Sequence, residues 1–326
     1  MINKYIQQSY KILEGEELSR ELIDKLSELQ GADVMDLMSL ANKVKTKFAM
    51  PMHVCTIMNV KSGLCNEDCK FCAQSLHNNA DVERYSLSSK EEMREQATEA
   101  FKYDIKSFAL VTSGTGYKKA NSEFNKIIES IDDIHEKVEG SRVCASIGFL
   151  SDETAKALAD HNIANYNINL QTSVDQYGKL ISSTHTIEDR IDTIKLLKKY
   201  GTKVCSGGII GLGESMKDRI DMAYTLKELD VDVIPLNVLV PIPGTPMENN
   251  EEIDVYEIAK VFALYRLINP TKVLKFGAGR ETVMKDFQAL LMLSGANGFL
   301  TGGYLTTRGR DSKEDERFEK QLRLFS

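Results

Sequence analysis

Two hydrophobic patterns divide the chain near residue 50. In residues 1–50, apolar positions recur at helical spacing in ELSRELIDKL and VMDLMSLANKVKTKF, which predicts an N-terminal helical extension. Beyond it, short β-rich runs alternate with amphipathic helical stretches such as SKEEMREQATEAFKY and TIEDRIDTIKLLKKY. The β-rich runs cover residues 53–60, 107–114, 142–148, 165–172, 203–212, 232–240, 273–280 and 298–305.

This alternation predicts an α/β fold, a (β/α)8 TIM-type barrel over residues 51–310 that follows the helical extension. The length of this region is close to the ~250 residues typical of such barrels. A doubly wound open sheet is the second option, which eight strand–helix units make less favourable. The charged end of the chain, residues 311–326, predicts a solvated C-terminal helical tail.

Composition excludes several classes of protein. The chain has 41 Lys and Arg against 48 Asp and Glu, a net charge of −7, which argues against nucleic acid or an anionic membrane as main partner. The amino terminus shows no signal segment, and no apolar run approaches the ~18 residues of a membrane span. We therefore predict a cytoplasmic protein whose six cysteines are ligands or buried apolar groups rather than disulfides.

Three cysteines follow the first predicted strand, where a barrel carries its active-site loops. Cys65, Cys69 and Cys72 form the pattern C-x3-C-x2-C in GLCNEDCKFCAQS. Three thiolates this close can hold one soft metal centre. A structural zinc site would need a fourth ligand, for which His77 is a candidate, and three unligated thiols are a further option. An iron–sulfur cube on three cysteines would leave one iron open to a cosubstrate.

The spacing of these cysteines, their position and the aromatic Phe71 before the last of them resemble the motif of the radical S-adenosylmethionine (radical SAM) superfamily. The resemblance implies that Cys65, Cys69 and Cys72 bind a 4Fe–4S cluster whose open iron holds S-adenosylmethionine (SAM). It further implies that an electron from the cluster cleaves SAM, and that the resulting 5′-deoxyadenosyl radical removes hydrogen from an unactivated carbon.

Longer motifs narrow the resemblance to one family. SGLCNEDCKFCAQS, YNINLQTS, KVCSGGIIGLGES, PLNVLVPIPGTP, FGAGRE and SGANGFLTGGYLTT together are similar to the biotin synthase family and run from about residue 50 to 307. The resemblance implies conversion of dethiobiotin to biotin, with sulfur from a second, auxiliary iron–sulfur cluster. It also implies an electron donor of the flavodoxin or ferredoxin type and a homodimer.

Several residues match ligand-binding positions of that family. By the resemblance, Asn169 would contact both SAM and dethiobiotin, and Arg190 would pair with the SAM carboxylate through its guanidinium fork. Asn237 would bind the ureido group of dethiobiotin, and Thr306 and Thr307 its carboxylate. Taken singly, each could instead be an ordinary strand or helix residue.

Two further residues are assigned to the SAM site. Phe71 belongs to the cysteine motif, and Gln171 replaces the Asp that the family commonly uses for the ribose hydroxyls. Because an amide also hydrogen-bonds to hydroxyls, we expect altered contacts rather than lost binding. The run SGGIIGLGE lacks the phosphate-binding pattern of a P-loop, and we assign it to the SAM pocket with Glu214 as a polar contact.

The remaining cysteines, Cys55, Cys144 and Cys205, each follow a valine near the start of the first, third and fifth predicted strands. Alternate strands of a barrel send side chains into the same interior layer, so these thiols should converge. Lys275 holds the corresponding place in the seventh strand and would supply the positive charge that a buried anionic cluster needs. One buried cysteine is ordinary core packing, whereas three in register favour a cluster site.

This set departs from the usual biotin synthase pattern, which holds a 2Fe–2S cluster with three cysteines and an arginine. Ala109 stands at one of those cysteine positions, Lys275 at the arginine, and Cys55 at a common serine. Ser107 and Gly298 likewise replace a common Arg and Ser. Because three thiolates fit a cube with one open iron, we expect a four-iron auxiliary cluster, with an added sulfide on that iron as the sulfur delivered.

Two other functions remain open. The first is another radical SAM enzyme of the same subgroup, such as a hydrogenase-maturation protein, which would share the barrel and the first cluster. The second is a non-catalytic iron–sulfur or zinc carrier, which would form no 5′-deoxyadenosine. The three Val–Cys pairs and the YNINL and PLNVL motifs favour biotin synthase.

Overall fold

A closed ring of parallel strands forms the centre of the computed structural model, which describes residues 2–49, 51–103, 105–303 and 312–325. The strands are β1 (His53–Lys61), β2 (Ser107–Thr112), β3 (Gly116–Tyr117), β4 (Val143–Ser146), β5 (Phe149–Leu150), β6 (Asn165–Asn167), β7 (Val204–Cys205), β8 (Gly208–Ile210), β9 (Val233–Val238), β10 (Val273–Phe276) and β11 (Gly298–Leu300). The order around the ring is β1-β2-β4-β6-β7-β9-β10-β11, and β11 pairs back onto β1. Strands β3 and β5 form a separate small sheet.

Helices surround the ring and precede it. They are α1 (Lys4–Ser9), α2 (Arg20–Ser27), α3 (Ala32–Phe48), α4 (Lys90–Ala100), α5 (Ser122–Lys137), α6 (Asp152–Asp160), α7 (Tyr177–Leu180), α8 (Ile187–Lys199), α9 (Met216–Glu228), α10 (Val255–Ile268), α11 (Gln288–Leu293) and α12 (Ser312–Leu322). Short 3-10 turns occupy Tyr10–Glu14, Val174–Gln176, Lys285–Phe287 and Arg323–Phe325, and a π-turn occupies Arg280–Met284. No helix of the described residues is long and apolar enough to cross a membrane.

Four of the outer helices begin at capping boxes. In α4, α6, α8 and α9, the residue before the helix accepts a hydrogen bond from the backbone three positions later, whose side chain bonds back. Each box satisfies two backbone donors that a helix start leaves open. The capping residues are Ser89, Ser151, Thr186 and Ser215. They determine where these helices begin.

The predicted (β/α)8 barrel is confirmed, with one interruption. The predicted run at 203–212 is split into β7 and β8, and both segments pair with β9, so they share one position in the ring. Gly207 lies at the break, where a Cβ would be 1.9 Å from the carbonyl oxygen of Pro235. The backbone therefore approaches β9 more closely there than a residue with a side chain would allow.

The N-terminal extension is bound to the barrel through buried polar contacts as well as apolar packing. Arg266 of α10 is fully buried, and its Nη2 donates to Oδ1 of Asn297 at 2.8 Å. Asn297 in turn donates from Nδ2 to the carbonyl oxygen of Ala49, just after α3. The extension thus meets the barrel beside the start of β11.

One face of the C-terminal helix α12 is buried, whereas the charged sequence predicted a solvated tail. Asp315 is only 2% exposed and Leu322 only 5%. Phe318 packs edge-on against Phe299 of β11, with ring centroids 5.8 Å apart. The buried charge of Asp315 is compensated, because Arg280 donates hydrogen bonds to both of its carboxylate oxygens, at 2.8 and 2.5 Å. The helix therefore covers the barrel next to β11.

Candidate active site

A cavity of about 330 Å³ runs down the inside of the barrel, within the size range of small-molecule sites. Its lining joins the mouth of the ring to its floor. The predicted site residues that line it are Phe71, Cys72, Asn169, Gln171, Asn237, Cys55, Cys144, Cys205 and Lys275. Cys72 of the first group therefore faces the same space as Cys55, Cys144 and Cys205, whereas Cys65 and Cys69 are not among the lining residues.

The loop after β1 carries Cys65, Cys69 and Cys72 and is closed by its own hydrogen bonds. The backbone N–H of Cys65 donates to the carbonyl of Gln74 at 3.1 Å, and that of Cys72 to the carbonyl of Cys69 at 3.1 Å. Asn78 donates from Nδ2 to the carbonyls of Cys69 and Cys72, at 3.1 and 2.8 Å. These bonds use the loop's polar backbone groups internally, which leaves the sulfurs as its ligand atoms.

A second set of contacts holds this loop against residues 182–184. Asp68 accepts hydrogen bonds from the Ser182 hydroxyl, the Ser183 hydroxyl at 2.5 Å and the Ser183 backbone at 2.9 Å. Partial burial raises the pKa of Asp68, but these hydrogen bonds outweigh it and hold the pKa well below its usual range. The carboxylate between the first two cysteines is therefore a structural anchor.

The three cysteines of the loop are half-buried. Burial raises the pKa of the Cys69 thiol to about 12, and it also raises that of Cys72. A metal bound by these sulfurs would have to displace their protons, as in other thiolate sites. Among the described residues, no three His, Cys, Asp or Glu side chains form a group tight enough for a single metal ion. His77, the candidate fourth zinc ligand, has Nε2 2.9 Å from the carbonyl oxygen of Asn66.

Arg190 is hydrogen-bonded to Asn169, which lines the cavity, but Arg190 itself is not among the lining residues. Arg190 donates from Nη1 to the carbonyl of Asn169 at 2.9 Å and from Nε to the hydroxyl of Tyr177. Its Nη2 has no hydrogen bond to the described part of the chain. The amide oxygen of Asn169 accepts from the backbone of Gly207 at 3.1 Å and from Asn167 at 3.3 Å. The guanidinium and the Asn169 side chain are thus held in place with donors to spare.

Gln171 has the geometry of a ligand-binding residue. Its φ of 73° lies in the left-handed region, and its backbone is held there by bonds to Gly207 at 3.0 Å and Ile209 at 2.9 Å. Its Oε1 is buried without a hydrogen-bond partner in the described ranges. A buried acceptor that lines a cavity fits a ligand hydroxyl. The residues present therefore fit the ribose of SAM.

Asn237 is occupied by the protein itself. Its Oδ1 accepts from the backbone of Ala278 at 2.8 Å, and its Nδ2 lies 3.4 Å from the carbonyl of Gly208. A Cβ at Gly277 would be 2.3 Å from Oδ1, so the glycine makes room for this contact. Asn237 lines the cavity and at the same time joins the ends of β8, β9 and β10.

The inner cysteines belong to strands one, three and five of the ring, as predicted from their register. Cys55, Cys144 and Cys205 all line the same cavity. Two asparagines of β6 contact them: Asn165 Nδ2 lies 3.7 Å from the Cys144 sulfur, and Asn167 Nδ2 lies 3.3 Å from the Cys205 sulfur. Sequence reasoning missed both, although the alternation in NYNIN places Asn165, Asn167 and Asn169 on one face of a strand.

The sulfurs at the floor share a buried cation. Lys275 is only 6% exposed. Burial lowers its pKa, but attraction to Cys55, Cys205 and Cys144 raises it to a net value above the ordinary one. For the Cys205 thiol, by contrast, burial raises the pKa, to about 11. The ammonium group is therefore placed to compensate the charge that these sulfurs would carry as thiolates.

Gly298 makes the space for Lys275. A Cβ at this position would be 2.8 Å from Cγ of Lys275 and 2.6 Å from the carbonyl oxygen of His53. The lysine stem could bend away, but the backbone of β1 could not. The close approach of Lys275 and that of the β1 backbone therefore both disfavour a side chain at position 298.

We expect Gly298→Ala to lower the free energy of unfolding by about 1–3 kcal/mol, the usual cost of overpacking a filled interior. Urea denaturation of the metal-free protein measures it. Gly178→Ala is the matched control, because a Cβ at Gly178 meets nothing within 4 Å. The control should be neutral or stabilising. Equal stability of Gly298→Ala and the wild type would show that the close approach is absent.

Three other predicted site residues are not among the described residues that line the cavity. Thr306 and Thr307 lie outside the described residues. Glu214 was predicted to contact SAM, but its Oε1 binds Arg219 at 2.6 Å and the backbone of Gly211 at 2.9 Å. It is not among the residues that line the cavity. Its place is a buried ion pair at the start of α9.

Comparison with known proteins agrees with the site. The profile of the Radical SAM superfamily matches residues 59–226, and that of the Biotin and Thiamin Synthesis associated domain matches residues 235–323. A biotin synthase of Chlorobium phaeobacteroides (strain BS1) is 53% identical, over 100% of this chain and 97% of that protein. A biotin synthase of Chlorobaculum tepidum is also 53% identical, over 98% of each chain.

Solved structures show the same fold at much lower identity. Methylornithine synthase superposes with a TM-score of 0.83 at 18% identity, covering 96% of this chain and 95% of that one. The FeFe-hydrogenase maturase HydG of Carboxydothermus hydrogenoformans gives 0.81 at 18% identity, covering 98% and 78%. These structural similarities support the barrel fold alone, whereas the relatives at 53% sequence identity show the family. The chain belongs to the biotin synthase family of radical SAM enzymes.

Proposed function

We propose that this chain converts dethiobiotin to biotin, with the substrate held between two iron–sulfur clusters in the barrel. One observation carries the proposal: a single cavity is lined by Cys72 at its mouth and by Cys55, Cys144 and Cys205 at its floor. A substrate inside it lies between both thiol groups. The closed wall of parallel strands keeps reactive species from water.

When bound, the mouth cluster supplies the electron that cleaves SAM, and the floor cluster supplies the sulfur that closes the ring of biotin. The protein's part is to bind and orient. Cys65, Cys69 and Cys72 would hold the first cluster. The spare nitrogen of Arg190 would bind the SAM carboxylate, and the orphaned oxygen of Gln171 a ribose hydroxyl.

Substrate binding is proposed to use the middle of the cavity. Within the described residues the Nδ2 of Asn169 donates no hydrogen bond, so its N–H groups would suit the ureido oxygen of dethiobiotin. Asn237 would act mainly through the strand ends that it holds, with its remaining hydrogen-bonding capacity toward the ureido group. Thr306 and Thr307 are proposed for the substrate carboxylate on the family resemblance alone.

The auxiliary cluster is proposed to be of the four-iron type on Cys55, Cys144 and Cys205. Ala109, at the family's usual third cysteine position, pairs in register with Cys144 and cannot ligate iron. Three thiolates leave one iron of a cube without a protein ligand, and an added sulfide there would be the atom delivered. Lys275 supports this proposal as the buried positive charge beside the site.

The function is tested by incubating anaerobically reconstituted protein with dethiobiotin, SAM and a strong reductant. Biotin and 5′-deoxyadenosine are both expected. Formation of 5′-deoxyadenosine without biotin would favour another radical SAM reaction, such as that of a maturase. Absence of both from protein with full iron content would favour a carrier.

The type of auxiliary cluster is tested by iron and sulfide content and by Mössbauer spectra. Fully loaded protein should bind about eight irons per chain, as two four-iron cubes, rather than about six. A 2Fe–2S spectrum would contradict the proposed cube. A sulfide content above that of iron would support the added sulfide.

We expect Arg190→Ala to weaken SAM binding by roughly 10–100-fold, because a hydrogen bond to a charged group contributes about 1.5–3 kcal/mol. Arg190→Lys keeps the charge but loses the fork, and it should fall between. Equilibrium dialysis of reconstituted protein measures the dissociation constant. The control is Lys195→Ala, an exposed charge on the same helix. Unchanged affinity in Arg190→Ala would remove Arg190 from the SAM site.

The partners and the compartment are proposed from the same chemistry. Six free cysteines and thiolate-bound clusters require reducing surroundings, for which we propose the cytoplasm. A small electron carrier of the flavodoxin or ferredoxin type would reduce the mouth cluster. The family resemblance supports a homodimer, which sedimentation analysis would test.

A further inference from the structure

A continuous row of side chains connects Arg190 with the sulfur of Cys69. Arg190 donates from Nε to the hydroxyl of Tyr177, and that hydroxyl lies 2.9 Å from Nδ1 of His185. The other ring nitrogen, Nε2, lies 3.3 Å from the sulfur of Cys69. Tyr177 is 2% exposed and His185 8% exposed, so water does not compete freely for these groups. The row links α8, α7 and the cysteine loop.

One arrangement uses every donor in this row. The Nε–H of Arg190 can only donate, so the Tyr177 oxygen accepts from it, and we take the Tyr177 hydroxyl to donate its own hydrogen to Nδ1 of a neutral His185. A neutral imidazole that accepts at Nδ1 carries its hydrogen on Nε2. A charged imidazole carries a hydrogen on Nε2 as well. In either state, His185 presents an N–H to the Cys69 sulfur.

The neighbours of His185 favour this contact over another. The nearest carboxylate oxygen, Oε2 of Glu67, lies 4.0 Å from Nε2, beyond hydrogen-bond distance, whereas the sulfur is within it. Phe149 packs edge-on against the ring at 5.3 Å between centroids. The imidazole is therefore fixed both by packing and by Tyr177, with Nε2 toward Cys69.

We propose that His185, oriented by Tyr177, is a positioning residue that sets the reduction potential of the cluster at Cys69 through an N–H···S hydrogen bond. Such a bond stabilises negative charge on the sulfur, so it favours the reduced cluster and makes its potential less negative. The inference rests on the proposed cluster at Cys65, Cys69 and Cys72. It adds that a hydrogen bond to one of the three ligands, Cys69, makes reduction of the cluster easier.

The test is a redox titration of the reconstituted holoenzyme, followed by the spectroscopic signal that is absent from Cys69→Ser. His185→Leu removes the donor, and we expect about a tenfold lower ratio of reduced to oxidised cluster at a fixed potential. For a one-electron couple this equals a shift of about 59 mV to more negative potential. His185→Gln, whose amide can still donate, should recover part of it. Tyr177→Phe frees the ring and should lie between.

Two controls separate this role from a structural one. His161→Leu changes a histidine that pairs with Asp132 on the surface and should leave the potential unchanged. Iron and sulfide contents must match those of the wild type, since a merely structural histidine would alter loading or stability but not potential. A wild-type potential in fully loaded His185→Leu would overturn the proposal.

A second measurement needs no cluster. Long-range proton–nitrogen correlation spectra of the metal-free protein report the tautomer of each of its five histidines, and His185→Leu identifies the signal. We expect hydrogen on Nε2. A neutral ring with hydrogen only on Nδ1 would overturn the proposal even if no His185 variant bound iron. If the wild type binds no mouth cluster, the proposed function fails while this result stands.

Discussion

The Cys55→Ser variant is expected to form no detectable biotin while it still cleaves SAM. Cys55 lines the floor of the cavity with Cys144 and Cys205, and we assign it to the auxiliary cluster alone. Changes in groups that merely support a metal ligand already cost about 10–100-fold in metal affinity. Loss of a ligand should therefore lower biotin formation by more than about 100-fold. Anaerobic turnover with separate measurement of biotin and 5′-deoxyadenosine tests this.

The matched control is Cys69→Ser, the same substitution at the mouth of the cavity. It should abolish both products, because the electron for SAM cleavage enters there. Ser146→Ala, at a polar residue that lines the cavity without being a proposed ligand, should keep most of both activities. Biotin formation that survives in Cys55→Ser would show that Cys55 holds no iron. Loss of SAM cleavage as well would mean that the two ends of the cavity are not independent.

Asp315→Asn is expected to lower the free energy of unfolding by about 1–3 kcal/mol, since it removes the carboxylate that accepts two hydrogen bonds from the buried guanidinium of Arg280. The two side chains are only 3% and 1% exposed. Asp315 also accepts a hydrogen bond from the hydroxyl of Thr301 at 2.5 Å, which fastens α12 to the end of β11. Urea denaturation of the metal-free protein measures the loss.

Glu316→Gln provides the comparison one residue further along α12. Glu316 pairs with Lys320, and the two side chains are 48% and 69% exposed. Exposed pairs at this spacing contribute about 0.3–0.5 kcal/mol, so the control should change little. If Asp315→Asn is as stable as Glu316→Gln, the docking of α12 does not depend on the buried pair.

The periodicity of apolar residues along the chain predicted most of the fold. Eight β-rich runs with helices between them predicted the barrel, because side chains alternate along a strand and recur at 3.6 residues along a helix. The same regularity predicted that Cys55, Cys144 and Cys205 would face one interior space, since they hold equivalent places on alternate strands. The cysteine loop was recognised from the spacing of its three thiols within eight residues, its position after the first strand and the aromatic Phe71 before the last cysteine.

Other features depended on contacts between distant segments. Nothing local in the charged C-terminal sequence indicates that Asp315 is buried against Arg280. Nor does the local sequence indicate that the Asn237 amide hydrogen-bonds to neighbouring strands, or that Lys275 packs closely against Gly298. These contacts form only when the ring closes, and a single sequence shows each residue without showing which other residues it contacts.

By itself, the amino-acid sequence predicted the barrel, the N-terminal helical extension and both groups of cysteines, because the spacing within the cysteine loop and the equivalent places of Cys55, Cys144 and Cys205 on alternate strands can be read from one sequence. Only the tertiary structure decided that Cys72 lines the same cavity as the inner cysteines, that Oε1 of Gln171 has no hydrogen-bond partner in the described residues, and that His185 stands between Tyr177 and Cys69. The physical reason is that hydrogen bonding and close packing act over a few ångströms in space, across residues more than a hundred positions apart in the chain.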